Sequence, residues 1–134
     1  MTEQNLSVPL SDLFGALSQP ARIDILLAIG NGEACVCHLE ASLKMRQAYI
    51  SQHLMALREM GILTSRRDGR FIFYRIRSEL LKELIKTAAE LAGLPREVIV
   101  FASHNRPHDG CCCPHCAPVS VDGLVISEPS ETSG

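Results

Sequence analysis

The chain has 134 residues, enough for one compact domain with an extension and too few for two ordinary domains. No apolar run approaches the roughly 20 residues of a membrane-spanning helix, and Met1-Thr2-Glu3-Gln4 shows no basic stretch leading into an apolar core, so neither a membrane protein nor a secreted one is expected. The setting expected from this is cytoplasmic, where the six cysteines would be reduced thiols suited to metal or redox chemistry rather than disulfides.

The formal net charge of −2 hides a strong asymmetry. Between Lys44 and Arg77 eight basic residues face only Glu59 and Asp68, a local charge of +6, whereas residues 1–43 carry five acids against Arg22 alone. A basic segment inside an acidic chain can still bind phosphate, so nucleic acid is a candidate partner.

Leu10 to Leu17 has helical apolar spacing with Ser11 as a plausible cap, and Ser18-Gln19-Pro20 breaks it. Pro20 suits the first turn of a second helix running to Ile29, which Asn31-Gly32 should stop. A short third helix is predicted from about Cys35 to Leu43, burying Leu39 and Leu43. The fourth, from about Gln47 to Met60, carries a core stripe of Ile50, Leu54 and Leu57, leaving Gln47, Tyr49, Ser51, Gln52 and Met55 on other faces. Two short helices joined by a tight turn, the second polar at its start, make a helix-turn-helix pattern.

Two β-prone runs follow, Ile62 to Arg67 and Phe71 to Ile76, separated by Asp68-Gly69-Arg70. Asp-Gly in that position signals a hairpin, and Arg66, Arg67 and Arg70 make it a basic wing. Glu79 to Leu91 then forms a helix with a broad apolar face, wide enough to pack against a second subunit. The predicted fold is therefore mainly α with a β-hairpin, a winged helix-turn-helix dimerising through its terminal helices. Residues 9–92 would form the DNA-binding and dimerisation domain, residues 93–118 a Cys/His-rich C-terminal extension, and residues 119–134, rich in Ser, Glu, Pro and Gly, a disordered tail.

Two cysteine groups carry the chemistry. Cys35 and Cys37 lie one residue apart at the start of the third helix, beside the element built to read DNA. Cys111, Cys112, Cys113 and Cys116 lie within six residues in a polar segment where a packing role makes little sense. His104, His108 and His115 flank that cluster and His38 adjoins the first pair, so all four are further candidate ligands. His53 is better suited to supporting the fourth helix or touching phosphate. On an ideal helix residues i and i+2 point about 200° apart, so chelation by Cys35 and Cys37 together should require the helix to start later or its first turn to unwind. No paired carboxylates, phosphate-binding glycine loop or nucleophile–base arrangement points to an enzyme, and Cys113-Pro114-His115-Cys116 lacks the βαβ context of a thioredoxin-like fold.

Glu33-Ala34-Cys35-Val36-Cys37-His38-Leu39 resembles the thiolate box, usually E-L-C-V-C-D-L, of the ArsR/SmtB family of winged-helix metal-sensing repressors. The run from Gln47 to Leu63 is similar to the recognition helix and wing entry of the same family, and the resemblance covers roughly residues 9–92. It implies a homodimer that represses a resistance or efflux operon and leaves double-stranded operator DNA when metal binds. It also implies that Arg46, Gln47, Tyr49, Ser51, Gln52, His53, Arg66, Arg67 and Arg70 face DNA, with glutamine suited to adenine and the wing arginines to backbone or minor groove. The sequence departs from the pattern in several places. His38 replaces an acid, Arg46 replaces the serine that would cap the recognition helix, and Glu40 stands where arsenic sensors often have a third cysteine. The N-terminal arm has no cysteine, and Glu79 to Leu91 has no histidine for a last-helix zinc site.

The preferred arrangement therefore joins Cys35 and Cys37 to one or two of Cys111, Cys112, Cys113 and Cys116. One added thiolate suits As(III), and two suit Cd(II), Pb(II) or Zn(II). Two other readings stay open: the same fold with the cysteines as a thiol-redox switch, and a metal-buffering protein that has lost DNA binding. No organic cofactor is expected.

Overall fold

A computed structural model describes residues 5–103, arranged as five α-helices and a three-stranded antiparallel sheet. Helix α1 (Ser7–Leu17) begins a turn earlier than its apolar spacing suggested. Ser11 is inside it rather than capping it, and Pro9 is tolerated because amide hydrogens of a first turn have no helical acceptor. Helix α2 (Pro20–Ile29) starts on its proline, as expected.

It ends at Ile29, as expected, but the residue that closes it is Gly30, at φ +61°, and not Asn31-Gly32. The reason lies far along the chain. A Cβ on Gly30 would stand 2.1 Å from the carbonyl oxygen of Ala102, so two backbones meet there at a distance only glycine allows. Ala102 donates its N–H to the Leu27 carbonyl at 2.9 Å and accepts from Asn31 N–H at 2.9 Å. After α5 (Glu79–Leu91) and a single 3-10 turn at Arg96–Val98, the chain thus returns to the end of α2 and buries Phe101.

Strand β1 (Glu33–Cys35) was not anticipated. It joins the edge of the hairpin formed by β2 (Leu63–Asp68) and β3 (Phe71–Ile76), giving the order β1-β3-β2 with Cys35 opposite Phe73. Asp68 pairs with Phe71 across a two-residue turn, Gly69-Arg70, and Gly69 takes the positive φ that the first position of a type II′ turn demands. The expected tip of Asp68-Gly69-Arg70 therefore narrows by one residue, with Asp68 inside the ladder.

Helices α3 (Val36–Leu43) and α4 (Gln47–Glu59) are joined by a turn in which Lys44 adopts a left-handed conformation, φ 58°. The core is shared by α2, α3 and α4: Ile25, Leu26, Ile29, Leu39, Ile50, Leu54 and Leu57 are fully buried. The expected stripe of α4 faces inward, which turns the opposite face of that helix to solvent. Leu6, Val8, Leu10 and Phe14 on or beside α1 and Leu80 and Leu91 on α5 are exposed apolar side chains, with Leu91 at 87 %.

Candidate functional site

Cys35 is the last residue of β1 and also the N-cap of α3, with extended backbone at φ −91° and ψ 170°. Its sulfur accepts the His38 amide hydrogen at 3.4 Å, doing with Sγ what a serine oxygen usually does at a helix start. Because the chain turns between Cys35 and Cys37, the expected divergence of their side chains does not arise. Sγ of Cys35 lies 2.8 Å from Sγ of Cys37, and the third helix starts at Val36. The unwinding that an i, i+2 pair would need within a helix is therefore unnecessary: the two sulfurs are already together.

Their surroundings are half core and half cleft. Cys35 is buried and packs with Phe73, its partner across the sheet, while Cys37 is partly accessible and lies against the same cluster as Phe71. In front of the sulfurs is a cleft of about 390 Å³, flanked by Gln47 and Ser51 of α4 and by Arg70 and Phe71 of the wing. Among the described residues no three cysteine, histidine, aspartate or glutamate side chains converge as a metal site. Two converging sulfurs supply part of the donor set of a soft ion and leave at least one position to be filled. His38 is buried in the first turn of α3. Cys111, Cys112, Cys113, Cys116, His104, His108 and His115 lie outside the described residues.

The nine residues expected to face DNA separate into groups. Arg46, Gln47, Tyr49 and Gln52 are exposed at the start of α4 and Ser51 is half-buried among them. Arg46 gives no side-chain cap, yet α4 begins at Gln47 as its periodicity required, so the missing serine leaves the helix in place. Arg67 and Arg70 are exposed at the wing, where the Arg70 guanidinium sits 5.6 Å from the Phe71 ring centre.

Arg66 is engaged within the molecule. Its Nε donates to both carboxylate oxygens of Glu33 at 3.0 Å, Nη2 donates to Glu33 as well, and the guanidinium lies 4.8 Å from the Phe73 ring centre. Hydrogen bonding to Glu33 raises its already high pKa further. This pair ties the wing to the strand that carries Cys35.

His53, expected either to support this helix or to touch phosphate and counted among the DNA-facing residues, is buried in α4. Its Nδ1 accepts a hydrogen bond from Arg22 Nε at 3.0 Å, and Tyr49 meets its ring edge-on at 4.6 Å. Burial, then the Arg22 charge, push its pKa below the ordinary value of 6.5. With Nδ1 accepting, the proton belongs on Nε2, which is buried with no hydrogen-bond partner among the described residues. Arg22 also donates to the Ala16 carbonyl at 3.1 Å and so bridges α1, α2 and α4. Sequence reasoning gave Arg22 no role; its signal was its position as the sole basic residue of an acidic segment. Glu33 was read only as part of a motif, and its partner Arg66 is 33 residues away.

The site combines a soft-ion thiol pair, a polar helix face and a basic wing on one side of the fold. Residues 19–65 match the model of the arsR family of bacterial regulatory proteins. The chain is 40% identical over 82 residues to an uncharacterized HTH-type transcriptional regulator of Methanocaldococcus jannaschii, covering 60% of this chain and 92% of that one. It is 32% identical over 100 residues to the arsenical resistance operon repressor of Escherichia coli, covering 74% and 86%. Among solved structures it is similar to a transcriptional regulator, HlyU, from Vibrio vulnificus, with 36% identity, a TM-score of 0.56, and 66% and 92% of the two chains covered. A thiol-bearing strand welded to a winged helix-turn-helix, together with these likenesses, makes the chain a member of the ArsR/SmtB family of winged-helix transcriptional regulators, DNA-binding proteins and not enzymes.

Proposed function

We propose that this ArsR/SmtB-type repressor binds operator DNA as a homodimer and leaves it when a thiophilic ion, As(III) or else Cd(II), Pb(II) or Zn(II), is taken by the thiolates of Cys35 and Cys37. The observation that carries the reading is the 2.8 Å contact between the two sulfurs at the point where β1 becomes α3. An ion held there pulls on the wing sheet through Cys35 and on α3, which packs against α4, through Cys37.

The remaining ligands are assigned to Cys111, Cys112, Cys113 and Cys116, and chain length supports the assignment. Ala102 is hydrogen-bonded to Asn31, four residues before Cys35, a stretch of at most about 14 Å. Cys111 lies nine positions beyond Ala102, a stretch that extends to about 30 Å, so a thiol of the same subunit is within reach. The homodimer is assigned to the exposed apolar faces of α1 and α5, which water would otherwise cover. Arg46, Gln47, Tyr49, Ser51 and Gln52 are assigned to the major groove, with Arg67 and Arg70 on the backbone.

A Cys35→Ser/Cys37→Ser protein should bind DNA from upstream of its own gene with unchanged affinity and should no longer release it at arsenite or cadmium concentrations that free the parent. Release at the same concentration would remove the pair from the sensor. The sulfur contact also supports a second reading, in which an oxidant of the peroxide class takes two electrons and two protons from the thiols, forming a disulfide and water. Peptide mass spectrometry after mild peroxide separates the two, since a reversible Cys35–Cys37 disulfide that releases DNA without metal is required by the second reading alone.

A further inference from the structure

The thiol pair is packed apart from the main core. Ala34 and Val36, on either side of Cys35, turn into the cluster shared by α2, α3 and α4. Cys35 instead forms a second, small cluster with Phe73, against which Cys37, Ala41 and Phe71 lie. The strand that brings Cys35 there is three residues long and pairs on one side alone, with β3. So short a pairing holds an edge strand weakly.

One further connection crosses the whole sheet. Arg66 lies on β2, beyond β3, and forms one row with Phe73 and Cys35. Directly opposite residues share a face, and so do residues two apart along a strand, which puts Glu33 on that face as well. The Arg66 guanidinium spans β3 over the Phe73 ring, 4.8 Å from its centre, and its Nε stands 3.0 Å from each carboxylate oxygen of Glu33. Phe73 beneath it is 1 % exposed. The clasp therefore ties β1 to β2 across the intervening strand and roofs the ring against which Cys35 packs.

We infer that Glu33 and Arg66 are positioning residues of the thiol pair: their clasp keeps Cys35 Sγ beside Cys37 Sγ, so that both sulfurs capture one soft ion. The inference rests on the thiol pair being the ion site, and both residues act through Cys35 rather than as ligands. Two-point capture outdoes one-point capture because the second sulfur binds within the same molecule, at an effective concentration set by how often the sulfurs are together. Their 2.8 Å contact makes that fraction high before any ion arrives. With the clasp open, β1 can leave its short ladder, and Cys35 then gives up the Phe73 ring and its cap on the His38 amide. Cys37, held within α3, stays behind.

Geometry and charge can be separated at the clasp. Lysine at position 66 keeps the charge but not the planar fork that reaches both carboxylate oxygens, and glutamine at position 33 keeps the shape but not the charge.

The test uses the full reduced chain and phenylarsine oxide, which two neighbouring thiols capture together. Its oxygen leaves as water with both thiol protons, and two As–S bonds form. Trypsin releases Cys35 and Cys37 in one peptide, residues 23–44, apart from the other four cysteines, so mass spectrometry locates the adduct. Glu33→Gln and Arg66→Lys should each raise the arsenical concentration that half-fills this peptide by about 10-fold, the lower end of what an outer partner of a metal ligand contributes. Iodoacetamide, which takes one thiol at a time, should label Cys35 faster relative to Cys37 in the same variants. A variant that merely loosens the fold would speed both thiols together. Arg77→Lys, at the foot of the hairpin and outside the clasp, should change neither reading. Parent-like capture in both clasp variants, or an equal loss in Arg77→Lys, overturns the positioning role and leaves the sensor reading intact. A parent chain whose 23–44 peptide carries no arsenical overturns the sensor reading and this inference with it.

Discussion

Arg22 on α2 donates to His53 on α4, Nε to Nδ1 at 3.0 Å, and this bond sets α4, the helix proposed to read DNA, against the body of the fold. The bond requires neutral imidazole, because a protonated Nδ1 would direct its own hydrogen at the guanidinium. Arg22 and Tyr49 are the titratable groups that contact the ring. Since the folded pKa of His53 lies below 6.5, the unfolded chain takes up its proton first as pH falls. Stability is therefore full above about pH 6.5 and declines below it, through the lowered value. Urea unfolding between pH 5 and 8 should show this decline, operator affinity should follow it, and His53→Asn, which keeps an acceptor near Nδ1, should flatten both curves.

Arg22→Met leaves two acceptors, the Ala16 carbonyl and His53 Nδ1, without their donor. The expected loss is about 1–3 kcal/mol in chemical unfolding. Combined with His53→Leu, the total should fall short of the sum of the two single losses, because both remove the same bond.

Glu33 engages the Arg66 guanidinium through both carboxylate oxygens. Glu33→Gln should release one cation at the wing, strengthening DNA binding at low salt. The slope of log K against log salt should steepen by about 0.9, the contribution of one added phosphate contact. Filter binding at several salt concentrations measures it, and an unchanged slope would show that Arg66 stays folded back without its partner.

Gly30→Ala forces a Cβ against the Ala102 carbonyl and a side chain into φ +61°. The segment around Ala102 should detach, with a stability loss above about 1 kcal/mol. If Cys111 to Cys116 complete the ion site, affinity for cadmium should also drop although no sulfur has changed, and isothermal titration calorimetry reads that drop.

Leu80→Glu and Leu91→Glu each place a charge on the exposed apolar side of α5, at positions 78 % and 87 % exposed. Neither should disturb the fold of one subunit. Sedimentation velocity should show the assembly shifting to monomer, with operator affinity falling accordingly.

Much of this arrangement is legible in the sequence because its signals are local. The bounds of α5 and β3 follow from periodicity and flanking breakers, and the Ile50, Leu54, Leu57 stripe fixes which side of α4 looks out. What escaped is non-local. Three residues are too few for strand alternation to show in β1, whose existence depends on β3 some forty positions later. The end of α2 at Ile29 was legible, but its stop was assigned to Asn31-Gly32 instead of Gly30 because Ala102, which demands the glycine, gives no sign in that neighbourhood. For the sulfurs, the structure takes the first of the two alternatives, a helix that starts after Cys35, and what the sequence hid is that Cys35 ends a strand and caps α3 so that the pair converges.

Cys35 supports the fold through an acceptor atom that serine also possesses, at a position where serine caps a helix at least as well. Folding and responsiveness therefore separate at this residue. Cysteine and serine codons differ by a single base, so on the proposed function an allele that binds its operator and ignores the ion lies one point mutation away. On the proposed function, a population free of the ion exerts no selection on the sensing role of Cys35, so only its packing against Phe73 and renewed exposure would favour the sulfur.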